Sequence, residues 1–329
     1  MNRPPAEFIR VMPDRMRAFV AAAFRAVQMP AADADLLADL LTTNDLRGVF
    51  SHGTRQTVAY VRHFQRGELN PQPDVRLVRD DGSTLVFDGD GGLGYFPSHR
   101  CALALAERAD ERGIVAGQTR NHGHFGAAGI YSRLIAARGR IAYITSGHQL
   151  HLTPESSLRN AAGGSPMSFA IPAGEEPPIV TDFGAMHDLY DGSPHLDELI
   201  RLAPGTVFRA IGLGAVCQAL GGFLAGVPLD PRRAVRQWSG ANQGAFMIAV
   251  DIARFMPLQQ FQRETAEYVR TARTLKPLPG HPPAVLPGGM EWQRERECSE
   301  QGIPVGPAHQ GALETLAGEL GLGSPFAAE

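Results

Sequence analysis

Imidazole exchanges protons near neutral pH, and two polar, glycine-flanked segments of this 329-residue chain place it where that exchange could serve chemistry. In Ser51-His52-Gly53, just after Asn44-Asp45-Leu46-Arg47-Gly48, a hydroxyl stands beside the ring and could hold it at a loop-to-helix junction. A hydroxyl, carbonyl or imine is a suitable proton partner, although a lone histidine in such a place also suits a structural role. Asn121-His122-Gly123-His124-Phe125-Gly126-Ala127-Ala128-Gly129 puts two imidazoles at i and i+2. A metal would need a third ligand, and neither an HExxH motif nor a cysteine partner marks one, so no metal is expected. The Gly126-x-x-Gly129 spacing before a helix can equally present backbone N–H groups to an anion.

Gly89-Asp90-Gly91-Gly92-Leu93-Gly94 satisfies GxGxxG between a strand-like run and a helix, as in a Rossmann pyrophosphate site. Asp88 and Asp90 would set negative charge beside phosphates, and regular βα alternation does not follow, so an ordinary glycine-rich turn is the better reading. Gly163-Gly164-Ser165-Pro166 and Thr181-Asp182-Phe183-Gly184 lie at strand ends, where sheet proteins tend to place ligand contacts. Arg209, ahead of Ile211-Gly212-Leu213-Gly214, could clamp a phosphate or be solvated.

The elements that position these residues read as follows. Apolar spacing predicts helices across 12–43, broken at Met29-Pro30, and another from Thr54 to Gln65. Short β-like runs follow at 75–78, 85–88, 114–116, 141–145, 168–171 and 178–182, with helices at 99–112 and 129–137. Ile211 to Ala225 reads as a buried helix, 245–250 as a strand, 258–274 as a helix, 276–289 as a proline-rich loop, and 310–320 as a last helix. The expected architecture is a helical lobe from both chain ends, 1–73 with 255–329, and a central sheet domain, 74–254.

Composition narrows the function class. With 43% hydrophobic residues the chain can bury one large core or two ordinary ones. Its 31 basic and 34 acidic side chains give −3 without a long block of either sign, which argues against a nucleic acid partner. Cys101, Cys217 and Cys298 are widely spaced and suggest neither disulfides nor zinc. The charged N-terminus does not read as a signal peptide, and no stretch reads as the ~20 apolar residues of a membrane span, so a cytoplasmic protein is expected.

Taken in order, these elements resemble the type-2 malate/L-lactate dehydrogenase family, which includes ureidoglycolate and sulfolactate dehydrogenases, diketogulonate reductase and piperideine-carboxylate reductase. The matches run from Asp45-Leu46-Arg47-Gly48 and Ser51-His52-Gly53 to Tyr60, then Gly67 to Asn70, then Asn121 through Gly129-Ile130-Tyr131. Further matches are Gly163 to Pro166, Asp182, Gly212-Leu213, Asn242-Gln243-Gly244, Asp251 with Phe255, and Leu286-Pro287-Gly288. The resemblance implies a non-Rossmann α/β mixed-sheet fold, NAD or NADP as cofactor, a small carboxylic acid as substrate, and a homodimer with the active site near the subunit interface. It makes His52 the proton donor, Ser51 its relay partner and His124 a second active-site histidine. It places cofactor contacts at His124, Gly126, Asp182, Gly184, Arg209, Ala210, Pro287 and Gly288.

Departures from the family pattern fall on both the substrate and the cofactor side. Gln56 stands where a carboxylate-binding arginine is usual, with Arg55 one place early; Gly164, followed by Ser165, lacks a threonine hydroxyl. Arg209-Ala210 replaces Lys-Gly, and Pro287-Gly288-Gly289 replaces Pro-Gly-Glu. The stretch from Asp182 to Gly205 is short, leaving Asp188 or Asp191 as the relay acid. The expected activity is hydride transfer between nicotinamide and a 2-oxo or 2-hydroxy acid. The alternatives are reduction of a cyclic imino acid, or a binding protein that kept the fold and lost efficient catalysis.

Overall fold

The computed structural model describes residues 4–280 and 284–326. In chain order the elements are β1 (Ile9–Val11), α1 (Pro13–Ala26), α2 (Ala31–Leu46), α3 (Thr57–Gln65), β2 (Arg76–Asp80), β3 (Thr84–Asp88), α4 (Tyr95–Arg112), β4 (Ile114–His122), α5 (Ala128–Ala136) and β5 (Arg140–His148). There follow β6 (Pro166–Ile171), β7 (Ile179–Gly184), α6 (Leu196–Leu202), α7 (Pro204–Gln218), β8 (Gln243–Asp251), α8 (Leu258–Ala272), α9 (Gly289–Gln301), β9 (Ile303–Val305) and α10 (Pro307–Leu320). They form two compact units, Met1–Pro73 with Pro287–Glu329, and Asp74–Leu286.

The boundary near the C-terminal end differs from the sequence expectation: 255–286 falls with the sheet unit, not the helical one. Side chains on α8 explain this. Leu258 lies against Gly139, and Arg270 and Arg273 both pair with Glu176 in the β6–β7 turn. Part of the proline-rich 276–289 segment lies outside the described residues.

In the helical unit, Pro13 opens α1, and Met16, Val20 and Phe24 repeat at helical spacing so that one stripe is buried. Phe24 meets Phe64 of α3 edge to face, ring centroids 6.4 Å apart. Leu37 and Leu41 bury the matching face of α2, whose C-terminal end also buries Thr42, Asn44 and Asp45. Two features had no sequence signal. β1 and β9 pair antiparallel but are three residues long, too short for alternation to register. Helix α9 is so rich in charge that Cys298 is its buried residue, so no apolar stripe betrays it.

The sheet unit is built on seven strands in the order β2-β3-β4-β8-β5-β6-β7. β3 and β4 run parallel; the other neighbours are antiparallel. A Rossmann sheet is parallel with helices between strands, so this topology is of another kind. Helices α4 and α5 cover one face. Gly117 admits Cys101 and Leu105 of α4 directly onto β4, and Ser132 of α5 shares a 2.7 Å hydrogen bond with Ser168 of β6.

On the other face lies α7, continued by a wider π turn at Ala219–Phe223. Gly221 and Gly222 seat their backbone against Gly147 of β5, an approach that a Cβ on any of the three would prevent. Two expectations need correction here. The helix starts at Pro204, not near Ile211, and it is mainly exposed: Val207, Gly214, Cys217 and Gln218 are its buried residues. Counted from that start, Pro204–Phe223 spans 20 residues with mean hydropathy 1.3, apolar and long enough by composition to cross a bilayer, although no such stretch was expected.

Candidate functional site

The helical unit holds Ser51 and His52 by the end of α2. Asn44 donates from Nδ2 to the His52 carbonyl (2.8 Å), and Asp45 Oδ2 accepts the Thr54 N–H (3.0 Å) and hydroxyl (2.5 Å). Consecutive side chains thus fix the backbone on both sides of Gly53. A Cβ at Gly53 would fall 1.7 Å from Asp45 Oδ1, which is why only glycine fits. Burial raises the Asp45 carboxyl to about 7, against the two Thr54 bonds, and Oδ1 has no hydrogen-bond partner among the described residues.

Ser51 Oγ lies 2.9 Å from His52 Nδ1, and Gln56 Nε2 donates to the Ser51 carbonyl at 2.6 Å. Burial lowers the His52 pKa, so the ring is neutral near pH 7 and able to accept a proton. Gln56, expected at the substrate, instead clamps Ser51. Arg55 is exposed in a 3-10 turn and makes no ion pair among the described residues. Thr54 Oγ1 lies 3.3 Å from Nε2 of His309 in α10; His309 is lowered to about 4, first by burial and then by the Arg55 charge. Asn44, Asp45 and His309 escaped the sequence reading as site supports. An Asn-Asp pair closing an apolar helix was the signal for the first two.

In the sheet unit, the β3–α4 and β4–α5 turns are zipped together. The N–H groups of Gly89, Gly91 and Gly94 donate to the carbonyls of Arg120, Asn121 and His124, and the Gly123 N–H returns to Gly92. Asp90 and Gly92 N–H groups are taken by Asp88 and Gly89. The GxGxxG donors are therefore occupied and do not face a pyrophosphate. Its glycines serve close approach: a Cβ at Gly94 would lie 2.5 Å from His122 Nδ1, and one at Gly91 2.0 Å from Trp238.

His122 is fully buried, with Nε2 against Thr119 Oγ1 (2.8 Å) and Nδ1 donating to the Gly123 carbonyl (2.7 Å). Burial lowers it to about 4. With both ring nitrogens engaged it supports the turn and is not placed as a metal ligand. His124 follows on the same turn, half-buried, and Gly126 (φ 80°) keeps clear of the Tyr95 ring.

A second cluster gathers at the ends of β5, β6 and β7. Asp182 reaches the start of α5, its Oδ2 against Gly129 beside Arg133. Ser165 (φ 45°) is buried; its carbonyl accepts the Ala185 N–H (3.0 Å) and its hydroxyl the Met186 N–H (3.2 Å), tying 163–166 to the segment after Asp182. Ser165 is thus a bridge within the fold. Gly184 approaches the Gly164 carbonyl, and the His148 ring walls both Gly163 and Gly164. Gln218 clamps the His148 backbone at both its N–H (3.2 Å) and its carbonyl (2.8 Å). Neither ring nitrogen of His148 has a hydrogen bond among the described residues. His148 was not expected; its place after Gly147 at a strand end was the available signal.

Other candidates are placed differently. Asp191 pairs with Arg159 (2.8 Å), which also donates to the Leu189 carbonyl (2.7 Å), so this acid braces its own loop. Asp188 (φ 63°) faces His187 at 3.8 Å. Arg209 is exposed on α7, while Ala210 packs against a small core of Ala162, Met186, Leu189 and Val207. Pro287 and Gly288 belong to the helical unit, Gly288 (φ 97°) capping α9.

A mixed sheet with glycine-lined strand ends and a serine-held neutral histidine stand outside the Rossmann arrangement. The malate/L-lactate dehydrogenase family model matches residues 11–186 and 194–314, and the chain belongs to that family. It is 24% identical to the malate dehydrogenase of Pyrococcus horikoshii over 96% of each chain. It is likewise 24% identical to the L-sulfolactate dehydrogenase of Methanocaldococcus jannaschii, over 89% of this chain and 92% of that one. The solved structure of the P. horikoshii enzyme superposes with a TM-score of 0.85 at 23% identity, covering 98% of this chain and 99% of that one, which establishes the shared fold.

Proposed function

We propose that this protein transfers a hydride between the nicotinamide of NAD or NADP and C2 of a small 2-hydroxy or 2-oxo acid, with His52 exchanging the hydroxyl proton. The Ser51–His52 pair carries this reading: Ser51 holds Nδ1 at 2.9 Å and burial keeps the ring neutral, which suits proton exchange at Nε2. Arg55, charged and without an ion pair among the described residues, is the anchor for the substrate carboxylate, and Gln56 acts through Ser51.

The glycines of the sheet unit leave room for a flat ring. Gly163, Gly164 and Gly184 leave a strip without side chains, walled by the His148 imidazole, whose nitrogens have no hydrogen bond among the described residues. Asp182, His124 and Gly126 border the α5 start where the rest of the cofactor would be held. The bound cofactor supplies the redox chemistry, and the protein supplies orientation. Exposed Phe208, Leu213 and Val216 on α7 support a homodimer built on this apolar face. Three free, buried cysteines suit a reducing cytoplasm.

The test is a calorimetric and melting titration with NADH and NADPH, followed by turnover on malate, lactate, their 2-oxo forms, bulkier 2-oxo acids and cyclic imines. Binding of one cofactor with a melting shift, and turnover on a 2-oxo acid, is expected. No heat and no shift with either cofactor would remove the assignment. Turnover confined to cyclic imines would move the substrate from C=O to C=N.

A further inference from the structure

We infer that the sheet unit carries a second ligand site, for a nucleoside phosphate, on the face of β3, β4 and β8 turned away from α4 and α5. Register sets its floor: Val86 of β3 and Phe246 of β8 flank Gln118 of β4, and Ala116 and Arg120, two residues to either side, share its face. This floor lines a cavity of about 580 Å³, closed at one side by Leu224. Gln118 is only 7% exposed, yet neither its Nε2 nor its Oε1 has a hydrogen-bond partner among the described residues. Buried amides are almost always paired, and each unpaired end is unfavourable. An amide offers a donor and an acceptor side by side, which the edge of a nucleobase matches, and the neighbouring apolar side chains suit the faces of such a ring.

The cavity continues past Arg120, Ala225 and Gly226 into a second one of about 430 Å³, where Arg233 and Arg236 join the lining. Its lining sets two acids, Asp88 and Asp90, against three guanidiniums, Arg120, Arg233 and Arg236. Asp88 accepts from Arg120 Nε (3.1 Å), Asn121 Nδ2 (2.8 Å) and the Asp90 N–H (3.0 Å), and Asp90 accepts the Asp74 N–H (3.0 Å). The guanidiniums are less well matched. Arg236 has a neutral acceptor, Gln149 Oε1 at 2.7 Å, and neither it nor Arg233 makes an ion pair among the described residues. A phosphate supplies the missing charge and fits the guanidinium fork. An unpaired amide in the first cavity and, in the adjoining one, two arginines without an ion pair among the described residues thus point to a base at Gln118 and a phosphate at Arg233 and Arg236.

The experiment titrates ADP, GDP, adenosine and inorganic phosphate into the full chain by calorimetry, alone and saturated with NADH. Expected are one site for at least one nucleotide, weaker binding of adenosine and phosphate, and a tenfold or greater loss in both Gln118→Leu and Arg236→Ala. NADH binding should stay unchanged in the variants and the melting temperature should not fall, since Gln118→Leu removes an unpaired buried amide, and Gln118→Met serves if the leucine variant fails to fold. Absence of nucleotide binding would overturn the proposal, as would unchanged affinity in the variants. So would mutual exclusion of nucleotide and NADH with both weakened by Gln118→Leu, since the groove would then be the seat of the cofactor's own adenosine. Nucleotide binding without NADH binding would instead refute the proposed oxidoreductase reading and leave this site standing.

Discussion

Replacing Gly53 by Ala places one methyl group against a buried acid, and the effect can be worked out from that contact. The added Cβ lies 1.7 Å from Asp45 Oδ1 and 2.5 Å from its Cγ, so the carboxyl group must move. Its displacement breaks the 3.0 Å and 2.5 Å bonds that hold Thr54, each contributing about 1–1.5 kcal/mol, and overpacking adds about 1–3 kcal/mol. The expected cost is about 3–6 kcal/mol in urea unfolding. Turnover should fall further than stability alone explains, because His52 is bonded to the neighbouring residue, and a displacement of ~1 Å can cost ~10²-fold. Asp45→Ser removes the clashing oxygens, so the double variant should be less destabilised than the sum of the singles by about 1–3 kcal/mol. Gly53→Ala within about 0.5 kcal/mol of wild type with unaltered turnover, or strict additivity in the cycle, would refute the reasoning.

His52→Ala and His124→Ala should each lower turnover by ~10²–10⁴ while leaving cofactor affinity within a few-fold, measured by steady-state kinetics beside calorimetry; wild-type rates in both would exclude them from proton transfer. Gln56→Arg keeps a donor for the Ser51 carbonyl and offers a charged fork, so the KM for malate or oxaloacetate should drop ~10-fold, and no gain on any dicarboxylate would show that position 56 does not set specificity. Urea midpoints should also depend on pH. His122, 6.5 in ordinary surroundings and about 4 here, takes up its proton only on unfolding between those values, so stability is lost as pH falls from 6.5 toward 4, by about 3 kcal/mol. Asp45, raised to about 7, acts oppositely, its contribution present below 3.8 and lost as pH rises through 7, and offsets one histidine over this window, while His309, also about 4, adds to His122; His122→Asn should therefore lessen the loss of stability toward low pH, and an unchanged slope would refute the assignment.

Legibility of the sequence depended on how each feature is encoded. Met16, Val20 and Phe24 announce α1 because burial imposes a period, and Pro13 and Pro30 mark where helices can begin. β4 and β5 read as shorter than they are, since Gly117 to His122 and Ser146 to His148 replace alternation with small and polar residues that serve packing and the turns. Strand order was not legible at all, because pairing of β8 with both β4 and β5 is a long-range choice with no local mark. At the site, Ser51 and His52 could be picked out by type and spacing. The roles of Gln56, Ser165 and Asp191 could not, because each is decided by a partner, the Ser51 carbonyl, the Met186 N–H and Arg159, that only folding brings near.

The position of β8 has a bearing on how the chain is made. It is the middle strand of the sheet but the last of the seven to be synthesised, after about sixty residues that add no strand. Until Gln243–Asp251 leaves the ribosome, β2-β3-β4 and β5-β6-β7 are separate half-sheets, and the edges of β4 and β5 that face the gap have open backbone groups. Contacts of such long sequence separation form slowly, and unpaired edges invite pairing with other chains. Nascent or truncated chains ending before β8 would therefore be the aggregating species, and expression conditions that slow initiation or supply a holdase should raise the soluble yield more than any change to the finished fold.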